Sequence, residues 1–218
     1  MAKVAVILAG CGVFDGAEIH ESVCTMLSLS QRGVDYQCFA PDVEQAHVIN
    51  HLTGAEVDEK RNVLVEAARI ARGEVKPLTE LKVKDYDALI VPGGFGAAKN
   101  LSDFAFKGTE LSLETEFHRV LESFADADKP VGLLCIAPVV APLIYGQGVQ
   151  LTIGCDAEVA AAVEELGGQH VEASVDQVVV DEANQLVTVP AYMLGPDIAS
   201  VAKGIDALVA KVVELAAQ

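Results

Sequence analysis

Short apolar runs that stop at glycine or proline alternate along this chain with helical patterns, and that alternation constrains the fold more than any other feature. Lys3 to Ala9 is an apolar run, Ala17 to Arg32 is patterned as a helix closed by Gly33, and Val34 to Ala40 is a second run stopped by Pro41. Strand, helix and strand in that order make a βαβ unit, the building block of a parallel sheet covered by helices. The alternation continues with a strand at Asp87 to Val91 entering the tight Pro92-Gly93-Gly94 loop, a helix at Leu111 to Ala127 and a buried strand at Pro130 to Leu134. An alanine-rich helix over Asp156 to Leu166 ends at Gly167 and Gly168, glycines that suit the left-handed stop of a helix. Short β runs follow at His170 to Ala173, Gln177 to Val180 and Leu186 to Val189, with Glu182 to Asn184 as a hairpin turn, before an amphipathic helix over Ile198 to Ala216.

The expected fold is therefore one α/β domain over residues 1–218, a doubly wound parallel sheet. It carries a helical insertion at about 42–86, whose periodicity predicts helices at Val43 to Leu52 and Asn62 to Arg72. Ligand sites in such a fold lie at the carboxyl ends of the strands. A chain of 218 residues is long enough to bury a sizeable core.

Fifteen Lys plus Arg against 32 Asp plus Glu give a net charge of -17, which argues against nucleic acid and against a polybasic membrane contact. The longest apolar stretch, Val131 to Tyr145, is broken by Gly132, Pro138 and Pro142 and falls short of the ~20 residues a spanning helix needs. Five cysteines without a C-x-x-C pair suit a reducing compartment, and the start lacks a cleavage-site pattern, so the expected location is cytoplasmic.

Several constellations could carry chemistry. Cys135 stands where a strand ends and Pro138 opens a helix, a sharp elbow that brings a sulfur near free helix N–H groups and is expected to lower its pKa. The alternative is a core cysteine that happens to end a strand. Pro92-Gly93-Gly94-Phe95-Gly96 exposes backbone N–H groups, so Gly94 and Ile136 could form an oxyanion hole; otherwise it is only a tight turn. Asp15, Glu18 and Glu21 cluster at the start of the first helix, where acids are also ordinary capping residues. Gly10-Cys11-Gly12 with Gly16 imitates a dinucleotide fingerprint at the wrong spacing. His47 and His51 have the i, i+4 spacing of two helical metal ligands, but no third ligand follows at a zinc-like distance, so a hydrogen-bonded or surface pair is the default and no metal is expected.

The order of strand, Pro-Gly-Gly loop, long helix, strand and cysteine elbow resembles the ThiJ/PfpI branch of the class I glutamine amidotransferase-like superfamily, with a flavodoxin-like sheet. Over nearly the whole chain the sequence is more similar to the ElbB family. The matching motifs include Glu18-Ile-His-Glu21, Val48-Ile-Asn-His-Leu-Thr-Gly54, Arg61-Asn-Val63, Val91 to Leu101, Cys135-Ile-Ala-Pro138 and Pro190-Ala-Tyr-Met193. The resemblance implies that Cys135 is the nucleophile, that Gly94 and Ile136 are the oxyanion donors, and, through alignment on Gly33, that Glu21 is the partner acid. Cys11 and Glu18 are expected beside them in the pocket. Many superfamily members carry a histidine directly after the cysteine or in the strand-loop after the elbow helix; here those places hold Ile136 and, near the second, Gly154. His170-Val-Glu172 mimics an amidotransferase His-x-Glu but sits in a predicted strand. The function implied is a cofactor-independent glyoxalase, a lyase of the hydro-lyase type, in a homodimer. Needing neither glutathione nor metal, it would convert a small reactive aldehyde of the glyoxal type to a 2-hydroxy acid such as glycolate. A protein deglycase, and a non-enzymatic redox-sensing or regulatory protein linked to isoprenoid metabolism, are the alternatives.

Overall fold

The computed structural model describes residues 2–218; Met1, included in the expected domain, lies outside them. The chain runs β1 (Lys3–Ile7), α1 (Ile19–Gln31), β2 (Asp35–Ala40), α2 (Val63–Ile70), β3 (Val75–Pro77), β4 (Ala88–Val91), α3 (Phe95–Lys99), α4 (Phe104–Lys107) and α5 (Thr115–Asp126). It continues with β5 (Val131–Leu134), α6 (Ala141–Tyr145), β6 (Gln150–Leu151), α7 (Ala157–Glu165), β7 (Gln169–His170), β8 (Val179–Asp181), β9 (Leu186–Val189) and α8 (Ile198–Leu215). Seven strands form one sheet in the order β3-β2-β1-β4-β5-β9-β8, parallel except for β8, which hairpins back antiparallel along β9.

The central strands read as unbroken apolar runs because helices cover both faces of a parallel sheet. Val4 to Ala9, Ala88 to Val91 and Leu133 to Leu134 are all fully buried. Right-handed crossovers send α1 and α5 to opposite faces, since one leads leftward from β1 to β2 and the other rightward from β4 to β5. On one face α1 packs along α8, and α8 lies so close to β5 that a Cβ at Gly132 would meet Leu208 Cδ2 at 2.8 Å. On the other, α5 buries Phe117, Val120, Leu121 and Phe124. Strand order reverses between β1 and β4, so the crevice opens between the loops that follow them.

Three sequence expectations need correction. Residues 43–52 form no helix. Asn50 closes a turn by accepting from the Leu52 and Thr53 N–H groups, and bridges Glu44 to Asn62 and Ile49 to Glu56 pin the segment as an open hairpin. Local side-chain bonding of this kind gives the backbone an alternative to a helix. The expected insertion also returns to the sheet as the edge strand β3, so it is helical only over α2 and in single 3-10 turns at Leu78–Glu80 and Val83–Asp85. Finally, the β run expected at His170 to Ala173 is strand only over β7, which pairs with β6 in a separate two-stranded ladder.

Candidate active site

The end of β5 sets the geometry. The Cys135 N–H still donates to Val189 O at 2.9 Å, and the chain then turns through a φ of 61° at Cys135 itself. A non-glycine residue in the left-handed region is held there by its surroundings, and such strain gathers at functional sites. A 3-10 turn at Ala137–Val140, with Pro138 in its first positions, leads into the five residues of α6. The elbow therefore has only a short, irregular helix behind it.

Glu21 reaches the same point from the first turn of α1. Glu18 caps that helix, its Oε2 accepting from the Glu21 N–H at 2.7 Å. Glu21 is wholly buried, and its carboxyl accepts from the Gly93 N–H at 2.8 Å and the Tyr192 N–H at 3.2 Å. The Cys135 side chain adjoins it, both meeting at the space a Cβ on Gly93 would fill. Burial pushes the Glu21 carboxyl up to about 7, against the pull of its two N–H donors. The Cys135 thiol is raised too, first by burial and second by the negative charge of Glu21, while the Gly94 and Ile136 N–H groups directed at the sulfur oppose the rise.

The thiol direction corrects the expectation of a lowered pKa at the elbow. A short helix contributes little dipole, and a buried carboxylate alongside outweighs it. Two adjoining buried acids cannot both ionise cheaply, so loss of one proton makes the second harder to lose.

Two glycines make the approach possible. A Cβ on Gly93 would collide with Cys135 Cβ and lie 2.9 Å from Glu21 Oε2. Gly94, at φ 91°, would drive a side chain into the backbone of Gly16 and Glu18. Gly93→Ala is expected to cost about 2–3 kcal/mol of stability, the scale of overpacking in a closed site, seen as a Tm drop of roughly 5–10 °C. Thermal denaturation checks it, and a wild-type Tm would show that the loop relaxes freely.

The thiol opens into a cavity of ≈ 350 Å³ whose lining includes Glu18, Gly94 and Ile136. Cys11, expected there, is not among the lining residues. Burial raises the pKa of its thiol, and the negative charge of Glu66 adds to the rise. His51 is not a metal ligand in waiting: its Nδ1–H donates to Ile49 O at 3.0 Å and its Nε2 accepts from the Phe14 N–H at 3.2 Å. His47 packs edge-on against Phe106, and among the described residues no group of three His, Cys, Asp or Glu side chains is placed to hold a metal. His170 accepts from the Ile153 N–H within the small ladder. Asp15 is buried, accepting from the Ile49 N–H at 2.7 Å, and so anchors the insertion.

Sequence reasoning missed the place of Tyr192. Ala191 adopts a φ of 44°, aiming the Tyr192 N–H at Glu21, while the Tyr192 hydroxyl meets His20 Nδ1 at 2.7 Å. The only signal was that His20 and Tyr192 both sit in motifs singled out for other residues. Together these contacts give a nucleophile, an acid of nearly neutral pKa and two backbone N–H donors, a set able to add a thiolate to a carbonyl and to move a proton nearby.

Comparison with known proteins bears on the family and the fold. The rat "ES1 protein homolog, mitochondrial" is 46% identical over 224 residues, which cover 98% of this chain and 84% of the rat protein. A solved structure, an isoprenoid biosynthesis protein with an amidotransferase-like domain from Ehrlichia chaffeensis, shares 37% identity with a TM-score of 0.92, covering 99% of each chain. Drosophila melanogaster DJ-1beta, at 19% identity and a TM-score of 0.55 over 99% of this chain and 96% of its own, shares the fold. Residues 2–199 match the DJ-1/PfpI family, and the chain belongs to that family.

Proposed function

We propose that this chain is an ElbB-type glyoxalase, converting glyoxal-type 2-oxoaldehydes to 2-hydroxy acids without glutathione, metal or other cofactor. The observation that carries the reading is the buried, adjoining pair of Cys135 and Glu21, with the carboxyl raised to about 7 and no histidine lining the cavity. An acid of that strength can give and take a proton near neutral pH, the property a shuttle between adjacent carbons requires. The DJ-1/PfpI family includes glyoxalases, deglycases and isoprenoid biosynthesis proteins, and the Ehrlichia relative is one of the last group.

The Cys135 thiolate adds to one aldehyde carbon, forming a C–S bond, and the oxygen takes a proton from Glu21. The Gly94 and Ile136 N–H groups, which pull the thiol pKa down, would hold the oxygen as charge develops on it. Glu21 carboxylate then removes the hydrogen of that carbon as a proton and returns it to the neighbouring carbon, while the hydroxyl proton of the first carbon passes to the oxygen of the second. The first carbon is oxidised to a thioester and the second reduced to an alcohol, so no external oxidant enters. Water cleaves the thioester, releasing glycolate and restoring the thiol.

Glyoxal incubated with the purified chain in EDTA, with no thiol added, should yield glycolate, read directly by proton NMR. Glycolate formation that stops on metal stripping and returns with zinc would overturn the reading. Among the described residues no helix is long and apolar enough to cross a membrane. The rat relative is named mitochondrial, so the compartment of this chain stays part of the proposal, which places it in a reducing, aqueous one.

A further inference from the structure

Glyoxal is far smaller than the space above Cys135. The cavity, at ≈ 350 Å³, falls within the range of about 300–1,000 Å³ that encloses whole organic ligands. Its walls come from five separate parts of the chain, with Val13, Phe95, Ala98, Phe104, Val159 and Met193 among the lining residues. A two-carbon substrate would leave these surfaces facing water, so it would use none of the binding free energy that apolar contact supplies.

Charge narrows the choice further. The ionisable lining side chains other than Cys135 and Tyr192 are Glu18 and Asp156, and no Lys, Arg or His lines the cavity. Both carboxylates already serve as caps, Glu18 for the Glu21 N–H and Asp156 for the Glu158 and Val159 N–H groups, and among the described residues neither makes a salt bridge to a Lys or Arg. The nearby cation, Lys99, is bonded to Phe14 O at 2.9 Å and lines a separate hollow with Phe14, Ile49, Gly54 and Phe95. A substrate carrying a carboxylate or phosphate would bring an unpaired anion beside two others in a poorly hydrated site.

We propose that the substrates of this site are 2-oxoaldehydes bearing a bulky apolar substituent and no negative charge. The inference rests on the glyoxalase reading for its chemistry and on the cavity for its selectivity. The covalent steps are those already given: the aldehyde carbon takes the sulfur, its hydrogen passes through Glu21 to the ketone carbon, and water releases the substituted 2-hydroxy acid.

Two assays on the full chain separate the two parts. In the first, kcat/KM is compared for glyoxal, phenylglyoxal and 4-carboxyphenylglyoxal, with the Cys135→Ala chain as background. Burying a phenyl group should favour phenylglyoxal over glyoxal by on the order of 10- to 100-fold, and the added carboxylate should remove at least about 10-fold of that gain. Asp156→Asn keeps a capping side chain while removing a charge, so it should narrow the gap between the two aryl substrates several-fold.

The second assay needs no turnover. Alkylation of Cys135 by N-phenyliodoacetamide, iodoacetamide and iodoacetate is followed by intact mass, each rate divided by that for N-acetylcysteine. The anilide should be fastest and the acetate slowest. Equal relative rates for all three reagents, or glyoxal turned over as well as phenylglyoxal, would overturn the proposed selectivity. If no aldehyde is consumed while the alkylation order holds, the glyoxalase reading falls and the selectivity of the cavity stands.

Discussion

Replacing Cys135 with alanine should abolish aldehyde turnover, by on the order of 10⁴-fold or more, while leaving the fold in place. The size of the effect follows from what the sulfur does. Without it no bond forms to the aldehyde carbon, and Glu21 has no activated carbon from which to take a proton. The fold should survive because cysteine already occupies the left-handed backbone at φ 61°, and alanine keeps the same Cβ without adding strain. Its N–H bond to Val189 O is also untouched. Glycolate formation and Tm measured on the same preparation make the check. Turnover within about 10-fold of wild type would mean that the thiol is not the nucleophile and that backbone donors carry the rate.

Glu21→Gln should lower turnover by about 100-fold or more, the scale of losing a general acid or base. Glutamine keeps the shape and one acceptor, but its amide group turns an N–H against one of the two backbone donors, Gly93 or Tyr192. A modest stability cost therefore accompanies the loss, and Glu18→Gln, which retains an acceptor for the Glu21 N–H, is the control expected to stay within about 10-fold. pH gives an independent signature. Going up from acid, the first proton leaves the pair near 7, so wild-type kcat/KM should rise to about that pH and level off; it should fall again only where the raised thiol has lost the second proton. The Gln variant should lose that acid limb. Stability moves the opposite way: Glu21 ionises near 4.5 when unfolded and about 7 when folded, so below 4.5 no penalty exists. As pH rises through 7 the buried charge costs the wild type up to about 3 kcal/mol that the Gln variant never loses. Wild-type activity in the variant, or damage from Glu18→Gln instead, would move the acid one turn along α1.

Much of this was legible before any coordinates. Val4 to Ala9, Ala88 to Val91 and Val131 to Leu134 are continuous apolar runs, and only strands covered on both faces combine such runs with short loops. The elbow was legible because Cys135 and Pro138 bracket a change from strand to helix. Other features lay beyond local pattern. β3 spans three residues, too few to show a period, and Val43 to Leu52 mimics a helix although Asn50 spends its side chain on a turn. The direction of the thiol shift depends on the distance between α1 and the end of β5, which are separated by more than half the chain. Tyr192 reaches Glu21 through its backbone N–H, a group every residue but proline has, so no side-chain motif could announce it.

The ladder between β5 and β9 ends in two bonds that act on the same reaction: Cys135 N–H to Val189 O, and, three residues on, Tyr192 N–H to Glu21. One strand end thus grips the nucleophile from behind and the acid from the side. Sliding that end outward would lengthen both bonds together, loosening the sulfur's seat and weakening the support for the carboxylate's charge in one movement. Position of the nucleophile and charge of the acid thus depend on the same four-residue stretch, Val189 to Tyr192.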